Sequence, residues 1–344
     1  MTPMIRSTLA VLLLATLTIS GCGRSVDGAA TRGSLAVDPA FFFAGEVPVY
    51  GQTVSNSDRV ALAYRRAIRR IDVCGLVNAD ALGKIGEVVS LATLFAFDEC
   101  DAEVKVPGRP DRRFVTVQLD MTRADPPAAF RVGGAPVYET SPGSCDFLTP
   151  LDLGRLPGAA RLHKPDQPFL RVGLIGESDC GLAKKVAGAI TGRVTGASLP
   201  PRDSAAGYPV ALAERDPCEV LSVLAGDVDR WDISSSRPYQ CEFGVWRDGD
   251  PDVVSMRLAL EPKIVDLVTA GAEHRLLDGA DVYLDKTFCS ATVFVGPPLQ
   301  RRMPGGEFVD VANVVVRPAV VVDSGTGDCE PVVDVAGTAA RLFG

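Results

Sequence analysis

Cysteine is the residue type whose number and spacing point most directly to chemistry in this chain of 344 residues. The chain has nine cysteines and two histidines, with no Cys-x-x-Cys pair and no cysteine–histidine cluster of zinc spacing. We therefore expect no metal site and no cofactor. Eight of the cysteines form an even set, which favours four disulfides in an oxidising compartment. These eight residues are Cys74, Cys100, Cys145, Cys180, Cys218, Cys241, Cys289 and Cys329.

The ninth cysteine, Cys22, ends a secretory leader. Arg6 is the only charge before an apolar run over residues 9–19, and Ser20-Gly21-Cys22 follows. A basic start, a short apolar region and small residues before a cut site are typical of a signal peptide. The Ser-Gly-Cys ending resembles a bacterial lipobox, which implies removal of residues 1–21 and a diacylglyceryl thioether on Cys22. The alternative is an uncleaved anchor, but spanning a bilayer needs about 20 apolar residues.

Charge and hydropathy predict where the mature chain lies. The chain has 35 basic and 43 acidic residues, a net charge of −8, which argues against a nucleic-acid partner. Removal of the leader deletes one basic residue and makes this −8 − 1 = −9. A lipobox lipoprotein carries at least two acyl chains (palmitate being a typical one), enough for stable anchoring. We therefore expect a protein held on the extracytoplasmic face of the cell membrane by the lipid on Cys22.

The eight remaining cysteines reveal an internal repeat. The first four are 26, 45 and 35 residues apart, and the last four are 23, 48 and 40 apart. The offsets between the two sets are 144, 141, 144 and 149 residues. Their surroundings also match, since Asp179-Cys180 and Asp328-Cys329 are each followed by Val-Ala-Gly at the same distance. A fixed period with matching surroundings indicates one duplicated domain.

Duplication limits the possible disulfides. If each half pairs within itself and both halves pair alike, three connectivities remain. The shortest loops result when the first cysteine of each half pairs with the second and the third with the fourth. Each such bridge stabilises by about 3–4 kcal/mol in the loop-entropy model.

The elements around these cysteines predict an α+β fold with two tandem homologous domains. In each domain an antiparallel sheet, marked by alternating strands such as Val115–Met121 and Val253–Leu260, has helices at both ends. Ser57 is predicted to cap a helix over 58–71, and helices are predicted to begin near Cys180 and Cys329. The predicted divisions are a leader at 1–21, lipidated Cys22 and a tether at 22–57, a first repeat at 58–195, a linker at 196–209 and a second repeat at 210–344.

The motif Asp216-Pro217-Cys218, a second cysteine 23 residues later and the upstream lipobox at Cys22 carry a family resemblance. Together they resemble an actinobacterial, mycobacterial-type lipoprotein family with Asp-Pro-Cys-type disulfide domains. The resemblance covers Cys22 and both halves. The first half departs from it, with Val73 where the proline belongs. It implies an anchored envelope protein, and it lends no catalytic residue.

The usual catalytic motifs are absent from the sequence. There is no G-x-S-x-G, S-x-x-K, H-E-x-x-H or P-loop, so we expect no enzyme. His163 and His274 have no recognisable partner and are interpreted as solvated loop or helix-end residues. A pair of acidic groups of the kind glycosidases use stays open, because such carboxylates can come from anywhere in a fold.

Several charged groups have two possible interpretations. Arg65, Arg66, Arg69 and Arg70 could touch anionic lipid headgroups, each basic group being worth about 1 kcal/mol. A solvated helix face, or pairing with the acidic domain, is the favoured interpretation. The run over 248–252 resembles a calcium loop but lacks the closing glutamate, so a hairpin turn is favoured. Arg301 and Arg302 are interpreted as a pair in an exposed loop.

Aromatic residues also allow alternatives. Phe41-Phe42-Phe43 could enter the headgroup region, but packing back on the domain is favoured. Trp231, Trp246 and Tyr239 are confined to the second half, where core packing is favoured over a pocket wall.

These features lead to one functional hypothesis and two alternatives. The first is a lipid-anchored envelope lipoprotein that binds a small molecule or a protein partner without catalysis. The second is a scaffold or accessory subunit of a cell-envelope complex. The third is an enzyme that uses paired carboxylates.

Overall fold

The protein was analysed as a computed structural model that describes residues 38–344 except 78, 125–126, 164–165, 176–178, 195–198, 203–209, 225, 234–236, 247–250, 263–270 and 303–312. The helices of the first half are α1 (Asn56–Arg69), α2 (Val73–Val77), α3 (Ala79–Leu82) and α4 (Cys180–Val194). Its strands are β1 (Glu87–Ala92), β2 (Glu99–Lys105), β3 (Arg112–Thr122), β4 (Phe130–Val132), β5 (Ala135–Glu139), β6 (Phe147–Pro150) and β7 (Gln167–Leu174).

The second half is built in the same way. Its helices are α5 (Leu221–Leu224) and α6 (Glu330–Phe343). Its strands are β8 (Val228–Asp232), β9 (Gln240–Val245), β10 (Asp252–Pro262), β11 (Glu273–Leu277), β12 (Ala280–Asp285), β13 (Ser290–Phe294), β14 (Leu299–Arg302) and β15 (Asn313–Ser324). Short 3-10 helices span Pro39–Phe43, Leu153–Arg155, Ala211–Glu214 and Pro217–Val220.

The two halves share one strand order. The first antiparallel sheet runs β1-β2-β3-β7-β6-β5-β4. The second, taken from its β8 edge, runs β8-β9-β10-β15-β13-β12-β11, with β14 added beside β15. The pairing of β1 with β2 is irregular between Val88 and Ser90, and that of β8 with β9 is irregular between Val228 and Arg230. Two antiparallel sheet domains therefore make up the described chain.

Side-chain alternation determines the core of each half. In β3, Val115, Val117 and Leu119 point inward and are buried, while the residues between them face the other side of the sheet. In β10, Val254 and Met256 do the same. The inward faces pack against α4 in the first half and α6 in the second. Each half thus has its own helix-covered core.

Four disulfides join the predicted pairs. Cys74 bonds Cys100 and Cys218 bonds Cys241, with Cα–Cα distances of 5.1 and 5.3 Å. The other two bonds join Cys145 to Cys180 and Cys289 to Cys329, at 4.5 and 4.6 Å. The pairing of first with second and third with fourth cysteine is confirmed. In both halves the first bridge ties a short helix, α2 or the 3-10 helix Pro217–Val220, to the second strand. The second bridge ties the start of the last helix to a cysteine shortly before β6 or β13.

The halves end alike but begin differently. α4 starts at the fourth cysteine of its half and α6 directly after it, and Asp179 accepts from the Leu182 amide and Asp328 from the Glu330 amide, each at 3.0 Å. At the beginning, however, the first half has the 14-residue α1. Residues 210–224 form only 3-10 turns and the four-residue α5. A long helix at both ends is therefore not confirmed for the second half. Asp216 starts a capping box there, and Pro217, which lacks an N–H, prevents a helix from running through.

The start of α1 differs from the prediction. Ser55, rather than Ser57, is the N-cap, and its Oγ accepts from the Asp58 amide at 3.1 Å. The preceding segment, predicted as a tether, is packed on the folded chain: its phenylalanines contact the first half, and Tyr50 contacts Trp231 of the second half. Phe42 is buried in the first-half core, as the favoured interpretation of the aromatic patch expected. Ordered structure thus begins before the predicted boundary at residue 58.

Part of the predicted linker is also packed. Of residues 196–209 the structure describes 199–202, which run antiparallel to the end of α1 and the turn after it. Pro200 accepts from the Asp72 amide at 2.9 Å, and the Arg202 amide donates to Arg70 at 2.7 Å. The buried Arg202 guanidinium donates to the Ala213 carbonyl. This stretch fastens the first half to the beginning of the second.

Candidate functional site

The predicted lipidation site, Cys22, lies outside the described residues. Within the part of the chain that the structure describes, no helix is long and apolar enough to cross a membrane. The anchor therefore stays a prediction from the leader sequence.

Two arginines of α1 are buried between the halves. Arg65 is 1% exposed, and its Nη2 donates to the Gln240 carbonyl. Arg69 donates to the Pro238 carbonyl at 3.0 Å and forms an ion pair with Asp216. Burial lowers the pKa of Arg65 to about 10. The solvated face is wrong for these two residues, because one side of α1 packs against the second half, whereas the alternative of pairing with an acidic group is confirmed for Arg69.

The other two arginines hold the segment before α1. Arg66 Nη2 donates to the Gly45 carbonyl at 2.7 Å. Arg70 Nη1 donates to the Phe41 carbonyl and, at 3.1 Å, to that of Ala44, and the guanidinium lies 5.0 Å from the Phe41 ring centre. The four arginines therefore bind parts of this chain, and the contacts leave no support for the headgroup interpretation.

A loop of the first half completes the second half. The Leu260 amide donates to the Phe95 carbonyl at 2.7 Å, and Ala96 forms a bridge with Ala259. Phe97 is 1% exposed and belongs to the hydrophobic core of the second half. The two halves are thus joined by backbone bonds and by a shared core residue, and they pack together.

Acidic residues surround one arginine at this junction. Arg237 donates to both oxygens of Asp98, with Nε–Oδ2 at 3.0 Å and Nη2–Oδ1 at 2.8 Å. Burial, followed by the nearby charge of Asp101, raises the pKa of Glu99 to about 7. Burial also raises the pKa of Asp120 to about 6 and raises that of Asp101. A raised carboxyl pKa is typical of acid–base catalysts as well as of buried ion-pair networks.

The position of these carboxylates favours the structural role. Asp98 and Glu99 pair with Arg237 where the two halves meet. Asp101 interacts with Glu99, and Asp120 lies close enough to Asp98 and Arg237 to feel their charges. None of them lines either of the two surface depressions described below. We therefore assign them to the junction.

The histidines differ in environment. His163 is exposed in a loop, as predicted. His274 lies on β11, not in a loop or at a helix end, because its segment pairs with β12. Its ring stacks on Tyr283 with centres 4.7 Å apart, and Nε2 lies 3.1 Å from Asp281 Oδ1. Across the described ranges no group of three or more His, Cys, Asp or Glu residues could hold a metal ion.

The remaining predicted residues are dispersed. Trp246 is 53% exposed, so its predicted core packing is wrong: it follows inward-facing Val245 and so points outward. Trp231 is half-buried, whereas Tyr239 is buried at the junction. Residues 248–250 of the calcium-like run lie outside the described residues, and residues 301–302 belong to β14 rather than to a loop.

An apolar crevice of about 250 Å³ opens in the second half. Its walls come from the 3-10 helix Ala211–Glu214, the turn after β13, the start of β14, β15 and the end of α6. The lining residues are Val210, Ala211, Leu212, Arg215, Val295, Gly296, Pro297, Leu299, Pro318 and Phe343. Gly296 is required for this shape, because a Cβ there would lie 2.8 Å from Pro318 Cγ.

Arg215 supplies the charge at the rim of this crevice. Its guanidinium lies 4.9 Å from the Phe343 ring centre, and its Nε donates to Glu219 at 2.8 Å. The hydrogen bond to Glu219 raises the pKa of Arg215, so the group stays cationic. Nη2 also donates to the Leu342 carbonyl at 3.2 Å, whereas Nη1 has no bonded partner among the described residues. The site therefore combines apolar walls with one cationic donor.

A second, more open groove of about 570 Å³ lies elsewhere on the second half, between α5, β11 and α6. It exposes the apolar side chains of Val223 (55%) and Leu276 (67%) beside Asp227, Asp278 and Arg341. It is shallow and mixed in polarity, unlike the crevice.

The crevice leaves no recognisable pattern in the sequence. Its lining residues come from positions around 210, 295, 318 and 343, so no local motif marks them. The only sequence signals are single residues, Gly296 and Pro318, whose meaning depends on their contact in the fold.

In comparisons with known proteins, the chain matches no family model, no curated protein and no solved structure. The resemblance to an actinobacterial lipoprotein family therefore stays a prediction.

Proposed function

We propose that this protein is a lipid-anchored lipoprotein of the cell envelope that acts as a non-enzymatic binding module, with the second-half crevice as its binding site. The observation that carries the proposal is the crevice itself, an apolar depression with one cationic donor at its rim. Apolar concave sites with few polar groups are the usual form of ligand sites.

Two further features support an envelope location. The leader ends in Ser20-Gly21-Cys22, and four disulfides stabilise the folded part. Disulfides persist in oxidising compartments outside the cytoplasm. The shared strand order and disulfide pattern support duplication of one domain, and the family resemblance agrees with both features.

The anchor is tested by membrane fractionation of the full chain and a Cys22→Ala variant. We expect the wild type in the membrane fraction and the variant in the soluble fraction with all four disulfides intact, because the acyl chains are the only attachment proposed. Cys289→Ser/Cys329→Ser is the control, since it removes cysteines without touching the lipid. A Cys22→Ala protein that stays membrane-bound contradicts the anchor.

Binding is tested by native mass spectrometry of protein extracted gently from its own membrane. We expect a bound molecule or partner that is lost when Leu299→Asp places a charge in the crevice, because a desolvated carboxylate in an apolar site is unfavourable. A bound species that Leu299→Asp leaves in place contradicts the assignment of the site.

The open groove supports a second candidate, a scaffold or accessory subunit of an envelope complex. Its exposed Val223 and Leu276 form an apolar patch rimmed by charged residues, which is a common form of protein-binding surface. Val223→Asp should then release a co-purifying protein, whereas Leu299→Asp should not. The opposite pattern favours the crevice.

A further inference from the structure

The first half contains a counterpart of the crevice, and one hydrogen bond identifies it. The Val295 amide donates to the Pro318 carbonyl at 2.9 Å. The Leu151 amide donates to the Pro168 carbonyl, also at 2.9 Å. Because the strands before these residues occupy the same places in the two sheets, Leu151 corresponds to Val295 and Pro168 to Pro318.

In the first half this place is filled by the chain itself. Leu151 is buried in the same core as Phe42, at 4% and 3% exposure. The loop that follows Leu151 lies against residues 38–45, which we call the aromatic segment, since a Cβ on Gly158 would lie 3.2 Å from Phe43 Cβ. Phe43 packs in turn on Tyr64 of α1, with ring centres 5.1 Å apart.

The rim arginine also has a counterpart. Arg70 lies four residues before the first cysteine of its half, and Arg215 lies three residues before the corresponding Cys218. Each guanidinium group lies over a phenylalanine ring, but the rings come from different elements: Phe41 of the segment before α1 lies 5.0 Å from Arg70, and Phe343 of α6 lies 4.9 Å from Arg215. The two arginines also differ at Nη1. In Arg70 this nitrogen donates to carbonyls of the aromatic segment, whereas in Arg215 it has no bonded partner among the described residues.

We propose that the crevice binds an apolar, aromatic segment of a partner protein, whose backbone carbonyls accept from Arg215 Nη1. This inference rests on the proposed function and names its ligand class. The first half supplies the pattern, because Arg70 holds the 3-10 turn Pro39–Phe43 and the carbonyl of Ala44 in the same manner.

Size and charge both favour a peptide segment over a whole small ligand. Sites for drug-sized molecules are usually about 300–1,000 Å³. The crevice, at about 250 Å³, suits one or two side chains of a segment whose backbone stays outside. A cationic donor at the rim complements carbonyl oxygens, which every peptide segment presents in a row.

The test uses the chain's own aromatic segment as a probe. A fluorescent peptide with the sequence of residues 38–45 is titrated with the full chain carrying Cys22→Ala, and fluorescence anisotropy is recorded. We expect saturable binding that Arg215→Gln weakens by about tenfold or more, the effect of losing a charged hydrogen bond. Leu299→Asp should abolish binding. Arg341→Gln, which removes a partly exposed arginine on α6 outside the crevice, should leave it unchanged.

A second peptide, with its three phenylalanines replaced by alanine, should not bind. Urea unfolding of each variant shows whether it is folded, and only folded variants are compared. Arg215→Lys keeps the charge but loses the guanidinium geometry, and it should bind with intermediate affinity.

Several outcomes overturn the inference. One is the absence of saturable binding, and another is binding that neither Arg215→Gln nor Leu299→Asp changes. If native mass spectrometry instead finds a small apolar molecule that Leu299→Asp removes, the proposed function stands and the peptide class is wrong. If sedimentation shows a dimer that Leu299→Asp separates, the occupant of the crevice is a second copy of this chain, which overturns the proposal of a different partner protein.

Discussion

Phe97 offers a direct test of how the two halves depend on each other. It follows β1 of the first half, yet its side chain is 1% exposed within the second-half core, 5.4 Å from the Tyr239 ring centre. Replacing a fully buried phenylalanine by alanine costs about 3–5 kcal/mol. With an m-value of about 4 kcal/mol/M for a chain of this size, Phe97→Ala should lower the urea midpoint by about 1 M.

The assay exploits the position of the tryptophans. Trp231 and Trp246 are the chain's two tryptophans, both in the second half, so their fluorescence reports on that half and on the contact of Trp231 with Tyr50 and α1, whereas far-ultraviolet circular dichroism reports on both halves. In the wild type the two transitions should coincide, as expected for one cooperative unit. In Phe97→Ala they should separate, because the truncated residue links the halves.

The control is Phe243→Ala, which truncates an equally buried residue on β9. It should lower the midpoint by a similar amount, yet keep the two probes coincident. If Phe97→Ala shifts the midpoint by less than about 0.5 M, or leaves the probes coincident, the junction does not couple the halves through Phe97.

Two further predictions concern stability. The pKa of Glu99, raised by burial to about 7 from an ordinary value of 4.5, means that the native state keeps a proton that the unfolded chain releases. The free energy of unfolding should therefore fall as the pH rises from about 4.5 to 7, and Glu99→Gln should reduce this fall in urea titrations at pH 5 and 8. Glu87→Gln, on the exposed end of β1, should leave this fall in the free energy of unfolding unchanged. If Glu99→Gln also leaves it unchanged, the raised pKa does not belong to Glu99. Cys289→Ser/Cys329→Ser opens a bridge of sequence separation 40 and should cost about 4 kcal/mol in a non-reducing thermal melt. A loss below about 1 kcal/mol contradicts the loop-entropy reasoning.

The disulfides and the repeat could be predicted because both depend on distances along the chain. Pairing Cys74 with Cys100 and Cys289 with Cys329 closes short loops, and short loops have the smallest closure entropy. The alternation of Val115, Val117 and Leu119 likewise predicted a half-buried strand, because a period of two can be recognised from neighbouring residues alone.

The junction could not be predicted in the same way. The arginines of α1 have the spacing of a charged surface face, and only the packed fold shows that Arg65 lies against backbone carbonyls of the second half. A buried arginine whose hydrogen-bond acceptors among the described residues are backbone carbonyls is an exception to the rule that charged residues stay exposed. The outward direction of Trp246 could not be predicted either, because it depends on where β9 ends.

The crevice arises from the way the halves differ at their beginnings. In the first half, α1 and the aromatic segment before it cover the end of the sheet beside Leu151, and Arg70 bonds that segment. In the second half, residues 210–217 form only short turns, so the corresponding end beside Val295 is left as a depression. Both halves share strand order, disulfides and the amide bond to Pro168 or Pro318, so among the described residues the opening results from the absence of such a cover, together with the added strand β14, whose Leu299 lines one wall. A segment that restores the cover should therefore stabilise the second half, and the rise in its urea midpoint should depend on Arg215.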